Sequence, residues 1–241
     1  MNIVLTRPLI DTENLMSELL SLGHKIIHIP TLKISKVPLD PVDLNNYNAI
    51  IFTSANAIRS LNITNKQSNI KCFCVGSITE KIVRSQGFNN TFSAGGTVNA
   101  LKNLILITLK KETNSKIAYF CGDVLSSDLD KELKTEGYFI DKFVNYNSEK
   151  ITELNSENKK LIEKYPPNLI FIYSMRSAES FNSMIKKNTL ATLMTQSTLM
   201  CISDNIILYL KKAGWKKLDK FTPGEEIIKI ESLKNGNPFK I

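Results

Sequence analysis

Hydrophobic and polar positions follow two alternating periods along the chain. Short β-branched runs with no polar face give way to stretches whose apolar residues fall three and four apart, the pattern of buried strands followed by amphipathic helices. Residues 3–5 read as a strand, Leu15, Leu19 and Leu22 as the apolar stripe of a helix, and residues 25–29 as a second strand. Gly23 falls where that helix must end, a position that favours a left-handed backbone. This alternation predicts βαβ units and parallel sheets.

The pattern returns downstream. With residue 117 set on residue 3, residues 117–121 form a strand, Leu129 and Leu133 face a core, Gly137 replaces Gly23, and residues 138–143 form the next strand. Residues 48–54 superpose on residues 168–174, each run a buried strand ending in serine. Residues 74–76, with a helix ending at Gly87-Phe88, match residues 201–203, with a helix ending at Gly214-Trp215. Two units thus appear in the order A, B, A, B, which predicts internal duplication. The predicted fold is α/β: two similar three-layer parallel-sheet domains of about 110 to 130 residues each. Stretches near 35–47, with Pro38 and Pro41, and near 146–166, closing at Pro166-Pro167, read as the two linker segments.

Composition narrows the function classes. An apolar share of 42% and a charged share of 22% describe a compact soluble protein, not a disordered, collagenous or disulfide-dense one. Apolar runs stop far short of the roughly 18 to 20 residues of a membrane helix. The first residues carry no charged leader or cleavage site, so a cytoplasmic protein starting at Met1 is expected. Cys72, Cys74, Cys121 and Cys201 lie in apolar strand runs without zinc-site spacing, and read as reduced, buried thiols. His24 and His28 are the only histidines, too few for a histidine-rich metal centre or a Ser-His-Asp triad. The formal charge of +8 favours an anionic partner, whether nucleic acid, an acidic membrane or a polycarboxylate. AT-rich coding, which supplies Lys, Asn and Ile together, would produce the same charge with no partner at all.

In open parallel sheets, ligands gather beyond the carboxyl ends of the strands. The residues at those turns are Thr6-Arg7, Thr53-Ser54-Ala55-Asn56, Gly76-Ser77-Ile78-Thr79, Cys121-Gly122-Asp123, Ser174-Met175-Arg176-Ser177 and Ser203-Asp204-Asn205. Amides and hydroxyls there suit carboxylates or phosphates, each charge-assisted bond contributing roughly 1.5 to 3 kcal/mol. The same residue types also cap helices with no ligand involved. Their recurrence at every such turn is what points to an anion-binding rim. No G-x-G-x-x-G or Walker sequence occurs, and Gly95-Gly96-Thr97 reads as a helix start, so no nucleotide cofactor is expected.

Taken in order, Thr6-Arg7-Pro8, the run Ile-Ile-Phe-Thr-Ser-Ala-Asn-Ala-Ile at 50–58, Val75-Gly76-x-x-Thr79 with Gly87 behind it, Cys121-Gly122, Tyr146 and Phe171-x-x-Ser174 make the chain resemble the uroporphyrinogen-III synthase family over nearly its whole length. The resemblance implies a lyase of porphyrin and haem biosynthesis. Such an enzyme cyclises hydroxymethylbilane to uroporphyrinogen III with loss of water and inversion of ring D, through a spiro intermediate. It also implies exchanged segments, with residues 36–146 forming one domain and residues 1–34 joining 150–241 in the other, and the substrate in the cleft between them. The eight carboxylates of that substrate would answer the positive charge. No cofactor, metal, nucleic acid or membrane is implied, and the chain is expected to be a monomer.

The resemblance makes Tyr146 the catalytic candidate, since a phenol can hydrogen-bond the departing hydroxyl. Thr6, Arg7, Ser54, Asn56, Thr79, Ser174 and Arg176 become carboxylate-binding candidates, with the two arginines as charged clamps. Where the family usually has glycine and threonine, this chain reads Ser203-Asp204-Asn205. Asn205 is expected to replace the missing donor, and Asp204 to face away from the anion. Two other readings stand beside the enzyme. One is a noncatalytic two-lobed anion-binding protein, because fold does not fix function. The other is a nucleic-acid-binding module, which rests on charge alone and lacks any recognised motif.

Overall fold

The computed structural model describes residues 1–109, 115–194 and 196–234. The chain divides into two compact units, the first made of Met1–Lys33 with Glu149–Ile241 and the second of Ile34–Ser148. In chain order, the first unit opens with β1 (Asn2–Leu5), α1 (Glu13–Ser21) and β2 (Lys25–His28), and β3 (Leu32–Lys36) leads out of it. The second unit holds β4 (Val42–Asp43), β5 (Ala49–Phe52), α2 (Ala55–Arg59), β6 (Ile63–Thr64), β7 (Lys71–Cys74), α3 (Ser77–Ser85) and β8 (Thr91–Ser93). It continues through α4 (Val98–Thr108), β9 (Lys116–Gly122), α5 (Leu129–Thr135) and most of β10 (Phe139–Lys150). Back in the first unit are α6 (Ser156–Lys164), β11 (Leu169–Ile172), α7 (Met175–Lys187), β12 (Thr198–Cys201), α8 (Asp204–Lys212), β13 (Leu218–Lys220) and α9 (Glu226–Lys234).

The first unit is built on a five-stranded sheet of order β13-β12-β11-β1-β2, the second on a six-stranded sheet of order β3-β10-β9-β5-β7-β8. Leu169 pairs with Ile3 and Ala49 with Ile117, so the strand pairs matched in the sequence occupy equivalent places. Five strands therefore run in the same order in both sheets. The pairings along β1, β11, β12, β5, β7 and β9 are parallel, as short strands joined by helices require.

Strand periodicity separates the faces. In β11, Ile170 and Ile172 pack with α7 and α8 through Ala178, Phe181, Ile206 and Leu210, while Leu169 and Phe171 pack with Leu19 of α1 and Ile230 of α9. In β5, Ile50 and Phe52 meet Ala57 and Val83, and Ala49 and Ile51 meet Leu101, Ile105, Leu129 and Leu133. Each sheet is thus covered on both faces, and each buried Ile, Leu or Phe contributes about 1.5 to 3 kcal/mol. Helices α1 and α5 end at Gly23 (φ +76°) and Gly137 (φ +92°), where a side chain would strain the backbone.

The stretches read as linkers are built into the units. Within 35–47, β4 pairs with β6 and Leu44 is fully buried; within 146–166, α6 buries Ile162 in the core of the first unit. The chain passes between units inside strands, at Lys33 to Ile34 and Ser148 to Glu149. Among the described residues no helix is long and apolar enough to cross a membrane.

Candidate active site

The carboxyl ends of β9 and β10 carry the most constrained arrangement. β10 runs in register with β9 from Phe139 to Val144, and then the register shifts, so that Val144 faces Cys121 and Tyr146 faces Gly122. Asn145 is the extra residue of a β-bulge, a device that turns the next side chain off the regular alternation. Its buried amide Nδ2 donates to the Ala57 carbonyl in α2 at 2.7 Å, and its own carbonyl accepts from Val37 N at 3.0 Å. The Tyr146 ring lies across Gly122. A Cβ added to Gly122 would sit 2.6 Å from the Tyr146 Cζ and 2.9 Å from its phenol oxygen, so only glycine leaves room. Asp123 N donates to the Tyr146 carbonyl at 3.1 Å, and Asp123 Oδ1 accepts from Ser148 N at 2.9 Å.

Beside this seat, at the end of β5, Thr53 Oγ1 and the Tyr119 hydroxyl lie 3.2 Å apart. Burial raises the Tyr119 phenol well above its ordinary range, and nearby Tyr146 adds to that shift, so Tyr119 stays protonated. Ser54 caps α2, its oxygen accepting from Asn56 N at 3.2 Å, while Asn56 Oδ1 accepts from Arg59 Nη1 at 3.2 Å. Thr79 is buried in the first turn of α3.

The corresponding edge of the first unit is held by charge. The Arg7 guanidinium carbon stands 4.7 Å from the centroid of the Tyr173 ring, a cation–π contact. His28 Nε2 donates to the Arg7 carbonyl at 2.8 Å. The Tyr173 hydroxyl donates to Glu226 Oε1 at 3.1 Å, and Gly224 N donates to Glu226 Oε2 at 2.9 Å. Burial and then the Glu226 charge push the Tyr173 phenol strongly upward. Ser174 caps α7, accepting from Ser177 N at 3.0 Å and donating to Ser177 Oγ at 3.1 Å. Arg176, the second residue of α7, is half-buried.

Thr6 requires a correction. Its side chain is fully buried and its hydroxyl donates to the Phe171 carbonyl at 2.6 Å, so it braces β1 against β11 and offers nothing outward. Asn205 is exposed in the first turn of α8, and Asp204 Oδ2 pairs with Lys220 Nζ at 2.7 Å. Sequence reasoning missed Asn145, Tyr119, Tyr173 and Glu226. An asparagine inside a strand-like run is a readable hint of a bulge, but nothing near Glu226 in sequence points to Tyr173. The four cysteines are free and buried, and burial pushes Cys121 up to about 11 and Cys201 to about 12, which leaves no thiolate nucleophile at neutral pH. Among the described residues no group of three or more metal-ligating side chains occurs.

A family model described as uroporphyrinogen-III synthase HemD matches residues 13–220, most of the chain. The chain belongs to the uroporphyrinogen-III synthase family. Membership makes it an enzyme of porphyrin biosynthesis with a small-molecule tetrapyrrole substrate. Solved structures of the family agree with the fold. Uroporphyrinogen-III synthetase from Helicobacter pylori is 20% identical, with a TM-score of 0.64 over 96% of this chain and 99% of that one. A mutant uroporphyrinogen III synthase from the extremely thermophilic bacterium Thermus thermophilus is 12% identical, with a TM-score of 0.59 over 98% of this chain and 100% of that one. No curated protein matches the chain in sequence.

Proposed function

We propose that the chain is a uroporphyrinogen-III synthase in the full sense, a cyclising hydro-lyase that converts hydroxymethylbilane to uroporphyrinogen III. The observation that carries this reading is the family match over residues 13–220. The geometry supports it with a phenol fixed by shape in one unit and a guanidinium fixed by an aromatic ring in the other. Arg7, Arg176, Ser54, Asn56, Thr79, Ser174 and Asn205 are assigned to the substrate carboxylates. Arg7 and Arg176 supply the charge, and the helix-capping serines contribute through the backbone amides they organise. We further assign the enzyme to the cytoplasm as a monomer, and attribute the matching strand order to duplication with exchanged segments.

In this reading Tyr146 donates a hydrogen bond to the terminal hydroxyl as its C–O bond breaks. The hydroxyl leaves as water with the proton of its own pyrrole N–H, and the bilane becomes an electrophilic azafulvene. The substituted carbon of ring D attacks that methylene to give the spiro intermediate. Cleavage of the original bond and closure at the other ring position, the released ring C–H proton being matched by return of a proton to the pyrrole nitrogen, give the macrocycle with ring D reversed. The protein selects between closures, and a preference of about a hundredfold needs only about 2.7 kcal/mol. Positioning by a few bonds is enough, and strong acid–base groups are not required.

Incubation of the purified chain with freshly made hydroxymethylbilane tests the reading, with product isomers separated after oxidation. The type III isomer is expected to dominate. Only the unrotated type I isomer, with the bilane bound and protected, would identify a noncatalytic anion-binding protein instead.

A further inference from the structure

We infer that the first unit carries a second ligand site, at the amino ends of β12 and β13, built for a planar aromatic carboxylate. A cavity of about 420 Å³ opens there between the second half of α7, the segment before β12 and the turn from α8 into β13. None of the candidate active-site residues lines it. The four residues of β12 separate it from the carboxyl-end rim, roughly 13 Å at strand spacing.

Trp215 forms an aromatic wall. Its ring packs on Phe181, centroids 6.0 Å apart, and its indole Nε1 donates to Asn182 Oδ1 at 3.2 Å. An indole nitrogen can only donate, so this bond fixes which end of the Asn182 amide is oxygen. The Nδ2 group is therefore the end left over. Asn182 is only 8% exposed, it lines the cavity, and among the described residues its Nδ2 has no hydrogen-bond acceptor. That Nδ2 is not one of the buried atoms left without a partner, so it is accessible from the cavity, where a ligand oxygen can accept from it.

The charge at the cavity has one sign. Lys186, Lys216 and Lys217 line it, and among the described residues no acidic side chain does. Lys217 Nζ is held by Gln196 Oε1 at 2.6 Å, whereas Lys186 and Lys216 have no ion pair among the described residues. Ile185, Ala191 and Ala213 add apolar surface to the lining, and Thr192, Gln196 and Ser197 add polar surface. An indole face, apolar surface beside it, one accessible amide donor and two ammonium groups without an ion pair together complement a flat ring bearing a carboxylate. A one-ring or two-ring acid suits the volume, which lies in the ordinary range of small-molecule sites. Inorganic phosphate would leave the indole face and the apolar surface uncovered.

Trp215 is the only tryptophan, so its fluorescence reports this cavity and no other. Titrating the full chain with benzoate is expected to give a saturable change in Trp215 emission. Cyclohexanecarboxylate, with the charge but no flat ring, and benzyl alcohol, with the ring but no charge, should each bind about tenfold more weakly. The double variant Lys186→Gln/Lys216→Gln should lose benzoate affinity about tenfold, and Asn182→Leu should lose it too, with conversion of hydroxymethylbilane unchanged. No saturable change with benzoate, an equal response to cyclohexanecarboxylate, or undiminished benzoate affinity in the double lysine variant would overturn the site.

Discussion

The two sheets share a strand order, yet their carboxyl ends finish in different chemistry. Thr53 and Tyr173 stand at the same strand position, as do Cys121-Gly122 and Arg7-Pro8. In the second unit this edge holds uncharged hydroxyls, and a phenol is aimed by the bulge at Asn145 and the bare backbone of Gly122. In the first unit the edge holds charged groups that fix one another, Arg7 on Tyr173 and Tyr173 on Glu226. A repeated scaffold thus decides where side chains emerge. Single residues decide whether shape or charge then holds them, and the two modes should fail differently under mutation.

The largest expected effect is on the shape-held edge. Gly122→Ala places a methyl 2.6 Å from the Tyr146 ring, so the ring must leave its seat. A displacement of about 1 Å can cost about a hundredfold in rate, so kcat on hydroxymethylbilane should fall by about that factor. Tyr146→Phe, which removes one hydrogen bond and keeps the seat, should lose only about tenfold. A Gly122→Ala enzyme as fast as the parent would show that the seat does not matter. Undiminished turnover in Tyr146→Phe would remove the phenol from the mechanism.

The charge-held edge should fail through stability first. Glu226→Leu strips the acceptor from both the half-buried Tyr173 hydroxyl, whose ring packs on Phe171 and Phe221, and the exposed Gly224 N. Unfolding in urea should show a loss of about 2 to 3 kcal/mol, with KM raised as Arg7 loses its fixed platform. Glu226→Gln keeps one acceptor oxygen and should recover part of that loss. If the glutamine and leucine variants are equally unstable, it is the carboxylate charge that holds Tyr173, not the hydrogen bond.

Asn145 ranks next because its side chain has a mechanical role. Asn145→Ala removes the bond to the Ala57 carbonyl and should cost about 1 to 2 kcal/mol. It should also lower kcat, since Tyr146 follows directly on the bulge. A stability loss with kcat intact would separate the bulge from the aim of the phenol.

The difference between the edges also explains what could be read in advance. The parallel α/β architecture was legible because short buried strands such as β5 and β11 alternate with amphipathic stretches that end at glycines such as Gly23 and Gly137. Ser54 and Ser174 were legible as turn residues, but capping and anion binding use the same atoms, and the caps are what the structure shows. Thr6 was misread because a hydroxyl at a strand end can turn outward or brace a neighbour, and the choice belongs to β11, more than 160 residues away. Glu226 and Tyr173 meet only through the fold, 53 residues apart, and no local pattern joins them. Gly122 was visible as a motif residue, but its purpose depends on a ring delivered by another strand.

The smallest effect compares two carboxylates on corresponding helices, α3 and α8, each reaching the edge strand of its sheet, Glu80 by a hydrogen bond and Asp204 by an ion pair. Glu80 of α3 accepts from Thr91 of β8 at 2.8 Å and from Arg84 at 2.9 Å, while Asp204 of α8 pairs with Lys220 of β13 at 2.7 Å on an open surface, 75% and 55% exposed. The Thr91 hydrogen bond, aided by Arg84, holds the Glu80 carboxyl below its ordinary value. Because the folded pKa is depressed, this support is fully present above the unfolded value, about 4.3, and fades as pH falls through the lower folded value. Glu80→Gln should therefore cost about 0.5 to 1 kcal/mol at neutral pH and almost nothing once the parent carboxyl is protonated. Asp204→Asn should change stability by no more than about 0.5 kcal/mol, and high salt should erase even that. Denaturant midpoints of both variants across the acid range measure the contrast. Equal losses, with the same pH dependence, would mean that the Thr91 bond contributes nothing beyond an ordinary surface pair.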